Sequence, residues 1–250
     1  MSKAPPRIFA PSQTAAKWAR SRDRQQNDAA AKYLTETIAN DLAERIDFMQ
    51  FEPARSLIIG DVTSLLPTTL EAFGSKVTVA NLGEFQEEAP GTPAAFDCII
   101  HCLGMGMVND LPGALLHARN SLAEGGLFFA VFPGAGSLPV LRQLALAADG
   151  ERPAARIHPQ VDTRAGTALL ERALFKRQVV DSFPVTVRFS SLKRLVEDLR
   201  DHGLTSSLAS PAPPLTRSGW ARAEAAFEAL KDEDGKVAET FEILTLTGWR

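Results

Sequence analysis

The chain has 250 residues, 45% hydrophobic and 23% charged, with a formal net charge of −3. These values suit a globular body with a sizeable core and exclude a disordered or collagen-like chain. The longest apolar runs, such as residues 126–132, are far shorter than the roughly 20 residues a membrane-spanning helix needs, and two cysteines make no disulfide framework and fit a reducing compartment.

The charge is uneven. Residues 1–34 hold seven basic and two acidic residues, which leaves −8 for the remainder. Such a run reads first as a solvated helix face, with steering toward an acidic partner as the functional alternative. Phe9, Trp18 and Tyr33 are its only aromatics. That is too sparse for base stacking, so nucleic acid is not the expected partner.

Residues 13–46 carry helical periodicity, in one piece or two. Within 29–46, Tyr33, Leu34, Ile38, Leu42 and Ile46 form one apolar face. Residues 56–60 predict a buried strand ending in a turn. A helix over 63–73 stops at Gly74, and 76–81 is a second strand, rich in β-branched residues. A polar loop, 83–95, leads to a third strand over 96–103. Asp110 caps, and Pro112 opens, a helix over 110–122, and 127–132 is a fourth strand. This alternation predicts a parallel sheet with helices on both faces. Helices follow over 137–148 and 162–175. Residues 178–189 read as β structure broken at Pro184. Residues 190–203 predict an amphipathic helix, 217–231 a further helix after the Ser/Pro-rich 205–215, and 238–249 a final long strand.

In open α/β sheets ligands bind at the carboxyl ends of strands. The loops to inspect are 60–64, 81–85, 102–108 and 132–136. The first contains Gly60 alone where a dinucleotide fingerprint needs three glycines, and the chain has neither a phosphate-binding P-loop nor a G-x-S-x-G elbow. Cys98 and Cys102 lie roughly 13 Å apart on one strand face, with His101 on the other, so they read as buried strand residues rather than metal ligands. His117 and His202 read as structural. His158-Pro159 shares a loop, 150–162, with Arg152 and Arg156, close to Arg164. That cluster reads either as a solvated turn or as a substrate-facing site.

A family pattern runs through the chain: Ile8-Phe9, Trp18-Ala-Arg20, Phe96-Asp97, Val108-Asn-Asp-Leu-Pro112, Leu122-Ala-Glu-Gly-Gly-Leu127, His158-Pro159, Leu169-Leu-Glu-Arg-Ala-Leu-Phe175, Asp198-Leu199, Thr240-Phe-Glu-Ile243 and Thr247-Gly-Trp249. Together these resemble the class I S-adenosylmethionine-dependent methyltransferase-fold family. Within it the similarity is greatest to the branch of the respiratory complex I assembly factor described as a protein arginine hydroxylase. The malonyl carrier-protein methyltransferase of the biotin pathway is a more distant relative. The resemblance implies a Rossmann-like α/β fold: a mostly parallel sheet with helices on both faces, N-terminal helices, a helical insertion near 190–231 and an antiparallel last strand. It implies two parts, an N-terminal helical arm (1–50) and a methyltransferase-like domain (51–250) whose insertion caps the site. It also implies S-adenosylmethionine as the cofactor, contacted by Gly60, Asp61, Asn81 and Leu103.

The departures fall where the cofactor binds. The family loop D-x-G-x-G-x-G reads here Ile58, Ile59, Gly60, Asp61, Val62, Thr63, Ser64. The ribose-binding acid after the second strand is Asn81, or Glu84 with a shifted register. A helix and a strand after that point look reduced or missing. Val62 is expected to protrude into the methionine subsite. Each lost charge-assisted bond costs about 1–3 kcal/mol, against about 8 for a micromolar site. The expected function is therefore that of a degenerate methyltransferase-fold protein, its cofactor binding weakened or lost, acting through a protein partner or in respiratory-complex assembly. The alternative is an active methyltransferase or arginine hydroxylase with a protein substrate. Only seven residues precede Ile8, so the expected location is cytoplasmic.

Overall fold

The computed structural model describes residues 7–250. Lys3 of the basic arm, with Pro5 and Pro6, lies outside the described residues. Strands β1 (Arg55–Ile59), β2 (Lys76–Ala80), β3 (Phe96–Cys102) and β4 (Leu122–Pro133) are parallel. β6 (Val237–Trp249) runs antiparallel to both its neighbours, β4 and β5 (Lys176–Phe189). The six-stranded sheet has the order β2-β1-β3-β4-β6-β5. This is the mostly parallel, Rossmann-like arrangement with an antiparallel last strand that the residue pattern implies.

Among the described residues there are eight α-helices: α1 (Pro11–Gln25), α2 (Tyr33–Phe48), α3 (Leu65–Ala72), α4 (Leu111–Ser121), α5 (Pro139–Asp149), α6 (Thr163–Arg172), α7 (Leu192–Asp201) and α8 (Arg217–Ala229). Consecutive residues of β3 and β4 are buried, including Phe128, Phe129 and Phe132, as in strands covered on both faces. The expected 13–46 helix divides into α1 and α2, and Asp110 caps α4 by accepting the Gly113 N–H at 3.0 Å. One core cluster takes in Phe9 and Trp18 as well as the sheet.

Three details differ from expectation. β5 passes through Pro184 without a break, because β5 is an edge strand, where a missing N–H costs no ladder bond on the open side. β4 begins five residues early, at Leu122, which pairs with Phe96, while Gly125 at φ +74° turns the chain. A turn of 3₁₀-helix, Gly104–Met107, follows β3. After β2 the residues between 81 and 95 form no strand, so β2 is the sheet edge, and Val79 is 53% exposed there.

Candidate functional site

The turns after β1, β2 and β3 meet at the carboxyl edge of the sheet, where this topology places ligands. Gly60, Asp61, Asn81 and Leu103 all line one cavity there, together with Trp18, Gln25, Leu82 and His202. Its volume is about 40 Å³, whereas small-molecule pockets run to roughly 300–1,000 Å³.

Each of the four residues is committed elsewhere. Gly60 sits at φ +84°, and a Cβ there would come within 2.6 Å of the Cys102 carbonyl and 2.8 Å of Leu82 Cγ. Glycine is needed for packing against protein, not for open space. Asp61 turns onto its own loop: Oδ1 accepts from the Thr63 N–H (2.7 Å) and hydroxyl (2.6 Å), and Oδ2 from the Leu66 N–H (3.1 Å). It thereby stabilises the free N–H groups at the start of α3. Asn81 donates to Glu84 Oε2 at 2.9 Å, and Arg22 of α1 donates to Glu84 Oε1 at 2.6 Å. The Asn81 bond, aided by Arg22, holds the Glu84 carboxyl below the usual range. Leu103 is buried at φ +66°, where a side chain of its size is rarely found, and its N–H donates to the Val131 carbonyl at 2.6 Å.

Two side chains outside the family loop fill the space. Leu82 reaches Gly60 and also Gly104, where an added Cβ would meet its Cδ2 at 2.5 Å. Trp18 lies across Gly83 and Gly203, joining α1 to the turn after β2 and to the end of α7. Val62, expected to protrude inward, lines the cavity while staying 43% exposed. Ile58, in place of the loop's leading acid, is wholly buried in β1.

His202 was read as structural, yet it lines this cavity with neither ring nitrogen hydrogen-bonded among the described residues, and Gln25 Oε1 is likewise unpaired. The His202 ring meets Tyr33 edge-on, with centroids 4.7 Å apart, and burial pushes its pKa down to about 4. His101 faces away: Nε2 lies 3.1 Å from Glu87 Oε1. Cys98 and Cys102 are free and buried. Burial pushes the Cys98 thiol up to about 12 and raises Cys102 too, so neither is a thiolate nucleophile. No group of three or more His, Cys, Asp or Glu among the described residues is placed to hold a metal.

The arginine-rich loop divides. Arg156 donates to Asp149 at 2.5 Å, Arg152 and Arg164 are exposed, and His158 is buried against Phe9 at 5.4 Å. Two parts of the family pattern meet: Asn109 Oδ1 accepts the Ile8 and Phe9 N–H groups, both at 2.8 Å. Ala10 and Ala209 complete the strap through bonds to Ser207 and Ile8. Sequence reasoning missed Trp18 and Leu82 as cavity fillers. Trp18 was visible as part of the quoted pattern, but Leu82 carries no motif.

No protein-family model matches the chain. Arginine-hydroxylase NDUFAF5, mitochondrial, of Danio rerio is 31% identical over 169 residues, covering 66% of this chain and 53% of that protein. The Mus musculus protein of the same name is 26% identical over 250 residues, covering 91% and 73%. Malonyl-[acyl-carrier protein] O-methyltransferase of Xylella fastidiosa is 30% identical over 161 residues, covering 64% and 54%. This chain thus spans only about half of the Danio rerio and Xylella fastidiosa proteins. Among solved structures, the Burkholderia thailandensis 1,6-didemethyltoxoflavin-N1-methyltransferase with S-adenosylhomocysteine aligns with TM-score 0.48 at 14% identity, over 96% of this chain and 86% of that one. With its strand order and antiparallel last strand, the chain is a Rossmann-like, methyltransferase-fold relative of the arginine-hydroxylase NDUFAF5 proteins and the malonyl-[acyl-carrier protein] O-methyltransferases.

Proposed function

We infer that this protein has weakened or lost S-adenosylmethionine binding and works by binding another protein, as in the assembly role that the family resemblance suggests. The observation that carries this reading is the filled cleft: Leu82 and Trp18 leave about 40 Å³ where Gly60, Asp61, Asn81 and Leu103 meet. The residues present do not fit the cofactor. Asp61 spends both carboxylate oxygens and Asn81 its amide N–H within the chain, and no carboxylate stands at Ile58. On this reading the described part of the 1–50 arm, residues 7–50, lies over the narrowed cleft, and 190–231 cap it. The free cysteines suit the cytoplasm, where we place the protein. No helix among the described residues is long and apolar enough to cross a membrane.

A second reading, an active enzyme on a protein substrate, has one observation in its favour. His202 and Gln25, which both line this cavity, carry buried polar atoms without hydrogen-bond partners among the described residues, and buried unpaired groups are costly unless something meets them. Calorimetry with S-adenosylmethionine and S-adenosylhomocysteine decides between the two. The first reading expects no saturable heat up to about 1 mM, equivalent to about 4 kcal/mol of binding. Micromolar binding by the unmodified chain overturns it in favour of the enzyme.

A further inference from the structure

The two outer strands of the sheet, β2 and β5, each leave one side unpaired, and they are built differently. β5 carries Pro184, a register irregularity between Lys176 and Val179, and the exposed charges Lys176, Arg177 and Arg188. Proline, bulges and charge are the means by which proteins keep a sheet edge from pairing with another chain. Apart from Lys76 at its start, β2 has none of them. Its residues, Lys76-Val-Thr-Val-Ala80, run in unbroken register with β1 and are rich in the β-branched types that suit a strand with neighbours on both sides. Thr78 and Val79 are nevertheless exposed, as is Phe73 just before the strand.

The backbone of β2 decides what can pair there. Lys76 donates its N–H to the Ala54 carbonyl at 2.8 Å, and the Ala80 carbonyl accepts the Gly60 N–H at 3.1 Å. Each residue of a parallel strand turns its N–H and C=O to the same side, and successive residues alternate. Lys76, Thr78 and Ala80 therefore face β1, while Val77 and Val79 turn both groups to the open edge. β1 is the only strand neighbour of β2, and no turn or loop bond reaches either valine among the described residues. A second β2, laid antiparallel across a two-fold axis at Thr78, meets this pattern. Val77 then stands opposite Val79 of the second copy, and Val79 opposite Val77, so each pair can exchange both of its N–H···O bonds. Thr78 meets Thr78 of the second copy as a pair without backbone bonds, and Lys76 meets Ala80, so no like charges face each other.

We propose that the chain forms a two-fold dimer in which β2 pairs antiparallel with β2 of a second copy and the two sheets become one. The register is self-complementary in hydrogen bonding and in charge, which is what selects a second copy as the occupant of this edge. The contact centres on a strand of five residues, which puts it among small, weak interfaces. Because the paired strands run in opposite directions, the two carboxyl edges, and with them the two clefts, stand at opposite ends of the dimer. The pairing uses only the outer side of β2 and does not depend on whether the cleft takes a cofactor.

The test is sedimentation velocity of the full chain from about 1 to about 300 μM, which should show a monomer–dimer equilibrium with a Kd of about 10–100 μM. Thr78→Lys changes an exposed side chain and sets two ammonium groups directly opposite each other, so it should weaken the dimer roughly tenfold or more. Val79→Pro should do the same. It removes an outward N–H that β1 does not use, at an edge position of the kind Pro184 occupies in β5. A cross-linking arm keeps the test sharp should either variant fold poorly. With oxidised glutathione Thr78→Cys should give a covalent dimer, because a non-hydrogen-bonded antiparallel pair holds its Cα atoms about 4.5 Å apart, within disulfide range. Val79→Cys should not, since the two copies of that position lie beyond the roughly 7 Å a disulfide can bridge. Cys98 and Cys102 are buried, and the wild type under the same oxidant sets the background. A chain that stays monomeric at every concentration overturns the proposal. So does a dimer that both Thr78→Lys and Val79→Pro leave intact, or cross-linking that is equal at positions 78 and 79.

Discussion

At the scale of single residues, the two buried histidines set an acid limit on stability. Burial is the main cause that pushes His158 and His202 down to about 4. Arg142 and Lys17 add to the effect at His158, and Asp201 opposes it at His202. In the unfolded chain each titrates near 6.5. As pH falls through 6.5 the unfolded state takes up protons first, so stability present above that pH is lost progressively down to about 4. At pH 5, relative to pH 8, each histidine accounts for a loss of roughly 2 kcal/mol. Urea unfolding of the wild type and of His158→Gln and His202→Gln at the two pH values measures this. Each variant should lose less on acidification than the wild type by about that amount. A variant with the same loss as the wild type contradicts the assignment. Carboxylates such as Asp97 and Asp149, held low by Arg55 and Arg156, add an acid loss of the same sign to all three proteins, so the difference between them isolates each imidazole.

At the scale of elements, α1 is fastened to the body by two arginines of different worth. Arg22 meets Glu84 at 2.6 Å with side chains 35% and 57% exposed, whereas Arg24 meets Asp201, whose side chain is only 5% exposed, at 2.5 Å. An exposed pair contributes about 0–1 kcal/mol. Removing the partner of a buried carboxylate costs about 3–5, reduced here to about 2 because Arg24 itself is partly solvated and the Ala31 N–H still serves Asp201. Chemical denaturation should therefore rank Arg24→Ala well below Arg22→Ala in stability, and the reverse order would show that Glu84 is the principal anchor. Most of this scaffold was legible in the sequence, because burial on one face writes a period of 3–4 or an apolar run. The apolar face of α2 and the runs of β1 and β3 fell where expected. What escaped was context. The fourth strand reads as starting at 127, yet pairing of Leu122 with Phe96 draws the preceding residues into β4. Pro184 reads as a break, yet β5 lies at the edge, where proline is tolerated.

At the scale of the whole molecule, the strand order brought the four expected site residues to one place, but it did not reveal what stands between them. That depends on Leu82, a loop residue without a motif, and on a tryptophan 64 positions away along the chain. Side chains that close a cleft by tertiary packing leave no local period to read. The family-loop positions provide the control. Ser64 adopts φ +61°, a conformation glycine takes without strain, so Ser64→Gly should be tolerated, and Val62→Gly removes a side chain that is already 43% exposed. The double variant restores the loop's glycines, but Leu82 still occupies the ground between Gly60 and Gly104, so it should show no saturable uptake of S-adenosylhomocysteine up to about 1 mM. Adding Leu82→Ala costs about 2–3 kcal/mol of stability and opens the space. The triple variant should bind, but only in the high micromolar range or weaker, because Ile58 and Asn81 still supply no carboxylate. Calorimetry on the two variants, each confirmed folded by a cooperative thermal transition, separates the causes. Micromolar binding by the double variant would place the closure at Val62. A folded triple variant that stays silent would place it at Trp18, whose helix would then have to move before any ligand could enter.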